Sequence, residues 1–111
     1  MYRPLPLEVT IKKSNIDGLG LFSTCSIGKG YSLGITHIAN PSFTNHFIRT
    51  PLGGFINHAS MPNCKLIKSG LSVADNNRET VLILITKQLI PTNTELTTHY
   101  SLYEIPDEET L

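Results

Sequence analysis

The chain has 111 residues, of which 40% are hydrophobic and 16% are charged, and its nine basic and nine acidic residues cancel to a net charge of zero. This length fits one domain with one core, and the balanced charge argues against a dedicated nucleic-acid binder, which carries a positive excess. No apolar run approaches the roughly 20 residues of a membrane-spanning helix, and no signal-peptide pattern is present. We therefore expect no membrane association, a cytoplasmic or nuclear location, and a single domain over 1–111 with an irregular lead-in over 1–6 and an acidic tail over 104–111.

The cysteines and histidines do not form a metal-binding pattern. Cys25 and Cys64 lack a CxxC spacing and are too few for a disulfide framework, so we expect both to be small buried residues. The four histidines have no paired spacing, and we predict no metal site. A Cys/His hydrolase would need a cysteine to meet a histidine in space, and nothing in the spacing favours this.

The first third of the chain predicts two strands joined by a turn. Apolar and polar residues alternate over 7–12, which is typical of a half-buried strand, and a turn cluster follows at 14–18. Residues 18–22 (Gly-Leu-Gly-Leu-Phe) lead into a short strand through position 24. The Gly-x-Gly is not a dinucleotide fingerprint, because Ser23 stands where the third glycine is needed and no helical periodicity follows. The turn chemistry favours a plain tight turn, with a backbone loop that lines another cofactor as the alternative.

The middle and end of the chain also predict β-structure. Alternation from Tyr31 predicts a strand to about Ile38, whereas 39–52 lacks periodicity and is expected to be a long connection. Further strands are expected at 64–68, 71–74, 79–86 and 95–99, and the run 81–85 (Val-Leu-Ile-Leu-Ile) is apolar on both faces, which indicates a central buried strand. Residues 22–30 and 85–93 share a faint similarity that is too weak to define a repeat. No helical periodicity is present, so we predict a mainly β domain.

Residues 53–64 (Gly-Gly-Phe-Ile-Asn-His-Ala-Ser-Met-Pro-Asn-Cys) stand out as a candidate ligand site. Phe55 and Ile56 are apolar enough to form a buried strand that leads to the polar pair Asn57 and His58. These two side chains could hold a polar cofactor that carries both an amine and a carboxylate, or they could satisfy backbone groups at the neighbouring turn. The residues alone leave both interpretations open. Tyr100 likewise could be amphipathic packing at a strand end or a catalytic phenol.

Three stretches, taken in order, resemble the motifs of SET-domain protein lysine methyltransferases. Residues 57–63 resemble the Asn-His-Ser-x-x-Pro-Asn motif, 95–100 resemble Glu-Leu-Thr-x-Asp-Tyr, and 18–22 resemble the N-terminal Gly-x-Gly-x-Phe. The resemblance spans about 9–103 and is greatest to the compact stand-alone SET proteins of viruses and bacteria. It implies a mainly β fold of several small sheets with a threaded, pseudoknot-like C-terminal segment, which is an exception to the rule against threading.

The resemblance also implies S-adenosyl-L-methionine as cofactor. By motif position, Gly18, Leu19 and Gly20 would line the cofactor with their backbone, Asn57 would bind its methionine part, and His58 would lie at the adenine. The activity implied is protein-lysine N-methylation. The partner would be a protein or peptide that carries a lysine. Independently of the resemblance, the balanced charge argues against direct nucleic-acid binding, and a chain this short could need a second copy to cover its apolar surface, so a homodimer is plausible.

By the same resemblance, Tyr100 would be the catalytic tyrosine, and we expect Tyr103 and Phe55 at the substrate channel. Several positions differ from the family pattern: Ala59 replaces the motif serine, His99 the usual aspartate and Ser101 the usual glycine. The zinc-binding cysteines that follow the domain in many relatives are absent from the sequence. A non-catalytic SET-like binding module is therefore the alternative function.

Overall fold

The computed structural model describes residues 5–39, 47–72 and 78–99, and these ranges are mainly β, as predicted. In chain order they form β1 (Val9–Lys13), β2 (Leu19–Ser23), β3 (Ser32–Ala39), β4 (Phe47–Arg49), α1 (Pro51–Gly54), β5 (Asn57–His58), β6 (Cys64–Ser72), β7 (Arg78–Thr86) and β8 (Thr97–Thr98). The strands are distributed over three small sheets. Within the described ranges, no helix has the length and apolarity needed to cross a membrane.

The largest sheet is antiparallel and has the strand order β4-β3-β7-β6. β7 lies in its interior, and its residues Leu82 and Leu84 are fully buried, which confirms the prediction of a central strand over 81–85. The two strands expected at 64–68 and 71–74 are one strand, because β6 pairs with β7 without interruption from Cys64 to Ser72.

β1 and β2 form an antiparallel hairpin in which Val9 pairs with Ser23 and Lys13 pairs with Leu19. The hairpin turn requires Gly18, whose φ of 47° is unfavourable for residues with a side chain. The expected start of β1 is wrong: Leu7 lies in a turn before the strand and is 75% exposed. The alternation therefore begins at Val9, which is fully buried.

The segment 39–52 was expected to be an irregular connection, but its described part contains β4 and the start of α1. Pro51 occupies the first turn of this helix, and the Thr50 side chain caps it by accepting a hydrogen bond from the Gly53 amide. A helix of four residues is too short to show a 3.6-residue periodicity, so the sequence pattern could not indicate it. Phe55 is the C-cap of α1, and the expected strand over 55–56 is therefore wrong.

Two non-local pairings join the last described residues to earlier parts of the chain. Ile27 and Ile90 exchange backbone hydrogen bonds of 2.8 Å, so the two segments with the faint similarity pair with each other in antiparallel orientation. β5 and β8 pair in parallel, which places residues 97–98 beside residues 57–58. The chain beyond His99, including the expected threaded passage, lies outside the described residues.

One hydrophobic core joins the hairpin, the large sheet and the pairing near Ile90. Its buried members are Val9, Leu21, Ile27, Leu33, Leu52, Ile56, Cys64, Leu66, Leu82, Leu84, Ile90 and Leu96. Cys64 is buried as expected, whereas the same expectation for Cys25 is wrong because that side chain is exposed. The core holds the β1–β2 turn, residues 57–58 and residues 95–98 together.

Candidate functional site

The polar site is centred on the side-chain amide of Asn57, on β5. Its Nδ2 atom lies 2.9 Å from Glu95 Oε2, 3.1 Å from both Ser14 Oγ and the Asp17 carbonyl oxygen, and 3.3 Å from the Leu19 carbonyl oxygen. The carboxylate and the two carbonyl oxygens can only accept hydrogen bonds, so the amide nitrogen must face them. The amide oxygen Oδ1 then points away from these oxygen atoms.

Ser14 connects the hairpin turn to the carboxylate of Glu95. Its hydroxyl group lies 2.8 Å from both carboxylate oxygens and donates its proton to them. The same oxygen accepts hydrogen bonds from the backbone amides of Ile16 at 2.9 Å and Asp17 at 3.3 Å. A single buried hydroxyl therefore holds the turn in shape and attaches it to a residue 81 positions later in the chain.

The two glycines of Gly-x-Gly are required for different reasons. Gly18 supplies the positive φ of the turn. A Cβ atom added to Gly20 would lie 2.3 Å from Glu95 Oε2, which is closer than side chains approach, and 3.2 Å from Asn57 Nδ2, so both side chains would have to shift. The motif therefore does more than form a tight turn, because it also leaves room for the carboxylate beside Asn57.

Asn63, from the Pro-Asn turn after β5, fixes the position of the segment that carries Glu95. Its Nδ2 donates to the Glu95 carbonyl oxygen at 2.9 Å, and its Oδ1 accepts from the Thr97 amide at 2.8 Å. Both ends of one side-chain amide are thus bonded to the backbone of residues 95–97. This arrangement holds β8 next to β5 and the carboxylate next to Asn57.

A second part of the site is formed by two exposed histidines. The rings of His58 and His99 have centroids 4.7 Å apart and are inclined by 54°. They are brought together because His58 pairs with Thr98 in the parallel β5–β8 ladder. Among the described residues, no group of three or more His, Cys, Asp or Glu side chains is arranged to hold a metal ion.

The structure brings together four of the residues that the motifs indicated, namely Gly18, Leu19, Gly20 and Asn57. His58 follows Asn57 directly but points its exposed ring to His99. Phe55 is partly buried and packs against the hydrophobic core. The positions predicted for catalysis and for the channel wall, Tyr100 and Tyr103, lie outside the described residues.

Sequence reasoning missed the roles of Ser14 and Glu95, although both lie in stretches that it had noted. Ser14 begins the turn cluster at 14–18. A serine hydroxyl can accept a hydrogen bond from the backbone amide two residues later, and this local bond favours a turn. Glu95 opens the motif at 95–100. In the chain, Ser14 is 43 residues and Glu95 is 38 residues away from Asn57, so no local pattern indicates that they converge on it.

The structure also bears on the hydrolase alternative. Burial raises the pKa of the Cys64 thiol to about 12, so this cysteine remains protonated at neutral pH. The nucleophile of a cysteine hydrolase is the thiolate. Cys64 is therefore a core residue and not a nucleophile.

Comparisons with known proteins identify the family. No curated protein sequence matches the chain. Among solved structures, a Plasmodium falciparum protein named as a candidate histone methyltransferase superposes with a TM-score of 0.69 at 21% sequence identity, over 86% of this chain and 94% of the other, which shows a shared fold. The family model of the SET domain matches residues 31–101. This match covers more than half of the sequence, and the chain therefore belongs to the SET-domain family.

Proposed function

We propose that this chain is an S-adenosylmethionine-dependent protein-lysine N-methyltransferase. SET-domain membership supports a methyltransferase, and the three motifs support the cofactor and the lysine substrate. The observation that carries the proposal is the convergence of the 14–20 turn, Asn57 and Glu95 into one polar site. The partner would be a protein or peptide that presents a lysine, and a homodimer is compatible with the proposal.

The residues at this site fit the cofactor in their chemistry. The methionine part of S-adenosylmethionine carries an ammonium and a carboxylate, and the Oδ1 atom of Asn57, which points away from Glu95, is an acceptor suited to an ammonium. Gly18 and Leu19 are exposed residues beside Asn57, and their backbone could lie along the ligand. The exposed ring of His58 offers a flat surface for the adenine. When bound, the cofactor would supply a methyl group activated by a positively charged sulfur.

The chain must hold the lysine amine uncharged and in line with that methyl group. That nitrogen must present a free lone pair, because a protonated ammonium has none with which to accept the methyl group. A desolvated channel assists because it lowers the lysine pKa, and orientation of the two reactants lowers the barrier further. We assign Tyr100 to the junction of cofactor and channel on its motif position, and Tyr103 and Phe55 to the channel wall.

Methyl transfer from labelled S-adenosylmethionine to lysine-containing proteins and peptides tests the proposal. We expect the wild-type chain to label a lysine, and Tyr100→Phe to lower the rate by at least about tenfold through loss of the hydroxyl group. Tyr31→Phe is the matched control, because Tyr31 is an exposed tyrosine whose hydroxyl bonds to Glu8 away from Asn57. Absence of labelling on any lysine, or equal rates for Tyr100→Phe and wild type, would contradict the proposal.

A non-catalytic SET-like binding module is the second candidate. The departure at His99 favours it, because this residue replaces the usual aspartate and its ring lies against His58 at the edge of the site. Calorimetry separates the two functions. A folded chain that binds a lysine-bearing peptide but not S-adenosylmethionine supports the module, whereas cofactor binding with turnover supports the enzyme.

A further inference from the structure

We infer that Glu95 is a positioning residue of the cofactor site, and that with Ser14 it sets the direction in which the Asn57 amide points. This inference rests on the proposed function, because the ligand that Asn57 would bind is the proposed cofactor. Glu95 itself does not need to touch the ligand. It acts through Asn57, whose side chain would contact the ligand.

The side-chain amide of Asn57 has two possible orientations, which exchange Nδ2 and Oδ1. Asn57 Nδ2 has two protons and four neighbouring oxygen atoms within 3.3 Å, with Glu95 Oε2 the nearest at 2.9 Å. In the reversed orientation Oδ1 would face a carboxylate and two carbonyl oxygens, and each contact would be repulsive. A hydrogen bond to a charged acceptor is about twice as strong as one between neutral groups, so Glu95 contributes most to the choice.

The carboxylate can act in this way because its own position is well determined. Both of its oxygens accept from Ser14, and Gly20 leaves the space that it occupies. Its backbone is held by the Phe22–Glu95 bridge and by Asn63. Glu95 therefore aligns the Asn57 amide only when residues 93–98 are paired with the rest of the fold, which couples formation of the cofactor site to docking of residues 93–98.

Two substitutions of Glu95 separate a positioning role from a merely structural one. In Glu95→Gln the side-chain oxygen can still accept from Asn57 while its amide donates to Ser14 Oγ, so we expect the dissociation constant for S-adenosylmethionine to rise by no more than about threefold. In Glu95→Ala both bonds are lost, and we expect a rise of at least about tenfold. In an Asn57→Ala background, Glu95→Ala should add little, because the residue through which it acts is gone.

Ser23→Ala is the matched control for general destabilisation of this region. Ser23 is buried, donates to the Pro91 carbonyl oxygen at 2.5 Å and accepts from the Thr94 amide at 2.9 Å, so it supports the segment that leads to Glu95. It makes no described contact with Asn57, and the backbone hydrogen bonds from Ser23 to the Thr94 carbonyl oxygen and from Leu96 to the Leu21 carbonyl oxygen keep residues 93–98 docked in the variant. We expect this variant to melt at a lower temperature than wild type and to bind the cofactor with unchanged affinity.

The experiment combines calorimetry with S-adenosylmethionine, thermal melting, and NMR of the Asn57 side-chain amide protons, which needs no ligand. We expect these protons to exchange slowly in wild type and Glu95→Gln and rapidly in Glu95→Ala.

Equal affinities for wild type and Glu95→Ala, or additive effects of Glu95→Ala and Asn57→Ala, would overturn the inference alone. A wild-type chain that binds no S-adenosylmethionine would overturn the proposed function and the inference with it. If Glu95→Ala does not fold, Glu95→Gln still tests the inference. A tenfold loss of affinity in this folded variant would contradict the expected rise of no more than about threefold in the dissociation constant.

Discussion

The buried His37 on β3 should make the stability of the protein depend on pH. The side chain is 1% exposed, and its Nδ1 atom lies 2.8 Å from Thr36 Oγ1. The threonine hydroxyl donates its one proton to the Leu82 carbonyl oxygen at 3.2 Å, so it must accept from Nδ1–H. The neutral ring therefore carries its proton on Nδ1, and the buried Nε2 atom has no hydrogen-bond partner among the described residues.

Protonation of His37 would place an N–H cation in this buried position. Burial, and to a lesser degree the neighbouring Arg49 on β4, lower the pKa of His37 from 6.5 to about 4. The unfolded state therefore binds more protons than the folded state between these values, and stability is lost as the pH falls below 6.5. For one such group the loss is about 2 kcal/mol at pH 5 and about 3 kcal/mol at pH 4, as an upper value.

Urea unfolding of wild type and His37→Asn at pH 7.5, 6.5, 5.5 and 5 measures this effect. The asparagine amide can keep the bond to Thr36 Oγ1 but cannot titrate. We expect the free energy of unfolding of wild type, relative to the variant, to decrease by about 2 kcal/mol between pH 7.5 and pH 5. The comparison removes the contributions of the other titrating groups, which both proteins share. A difference that stays constant within about 0.5 kcal/mol over this range would refute the reasoning.

Two further predictions concern packing. A Cβ atom at Gly53 would lie 2.2 Å from the Thr36 carbonyl oxygen, so we expect Gly53→Ala to lower the free energy of unfolding by about 1–3 kcal/mol. Gly54 has open space at the same point, and Gly54→Ala, measured by the same denaturant titration, should change it by less than about 1 kcal/mol. Leu84 is fully buried in β7, and Leu84→Ala should cost about 2–5 kcal/mol. The exposed Leu89 is its control, with an expected change within about 0.5 kcal/mol, and equal costs for the two leucines would contradict the assignment of the core.

The patterns that were predictive are those that depend on near neighbours in the chain. The apolar run at 81–85 indicated a central strand because β7 has a neighbouring strand on each side and most of its side chains are buried or half-buried. Gly18 indicated a turn because of its backbone freedom. The failures at Leu7 and at 51–56 have a local cause as well. One turn of helix is too short for a periodicity, and an apolar residue that precedes a strand cannot be distinguished from the first residue of that strand.

The sequence by itself determined that the chain is a mainly β domain, and its three ordered motifs marked the stretches that form the candidate site. Only the tertiary structure decided why Gly20 must be a glycine, which way the Asn57 amide points, and that Ser14 and Glu95 share one hydrogen-bond network with it. It also decided that Cys64 is an inert core residue. The physical reason is the same in each case: an orientation, a close approach or a shifted pKa depends on atoms supplied by segments that are distant in the chain, and these meet only when the sheets are assembled.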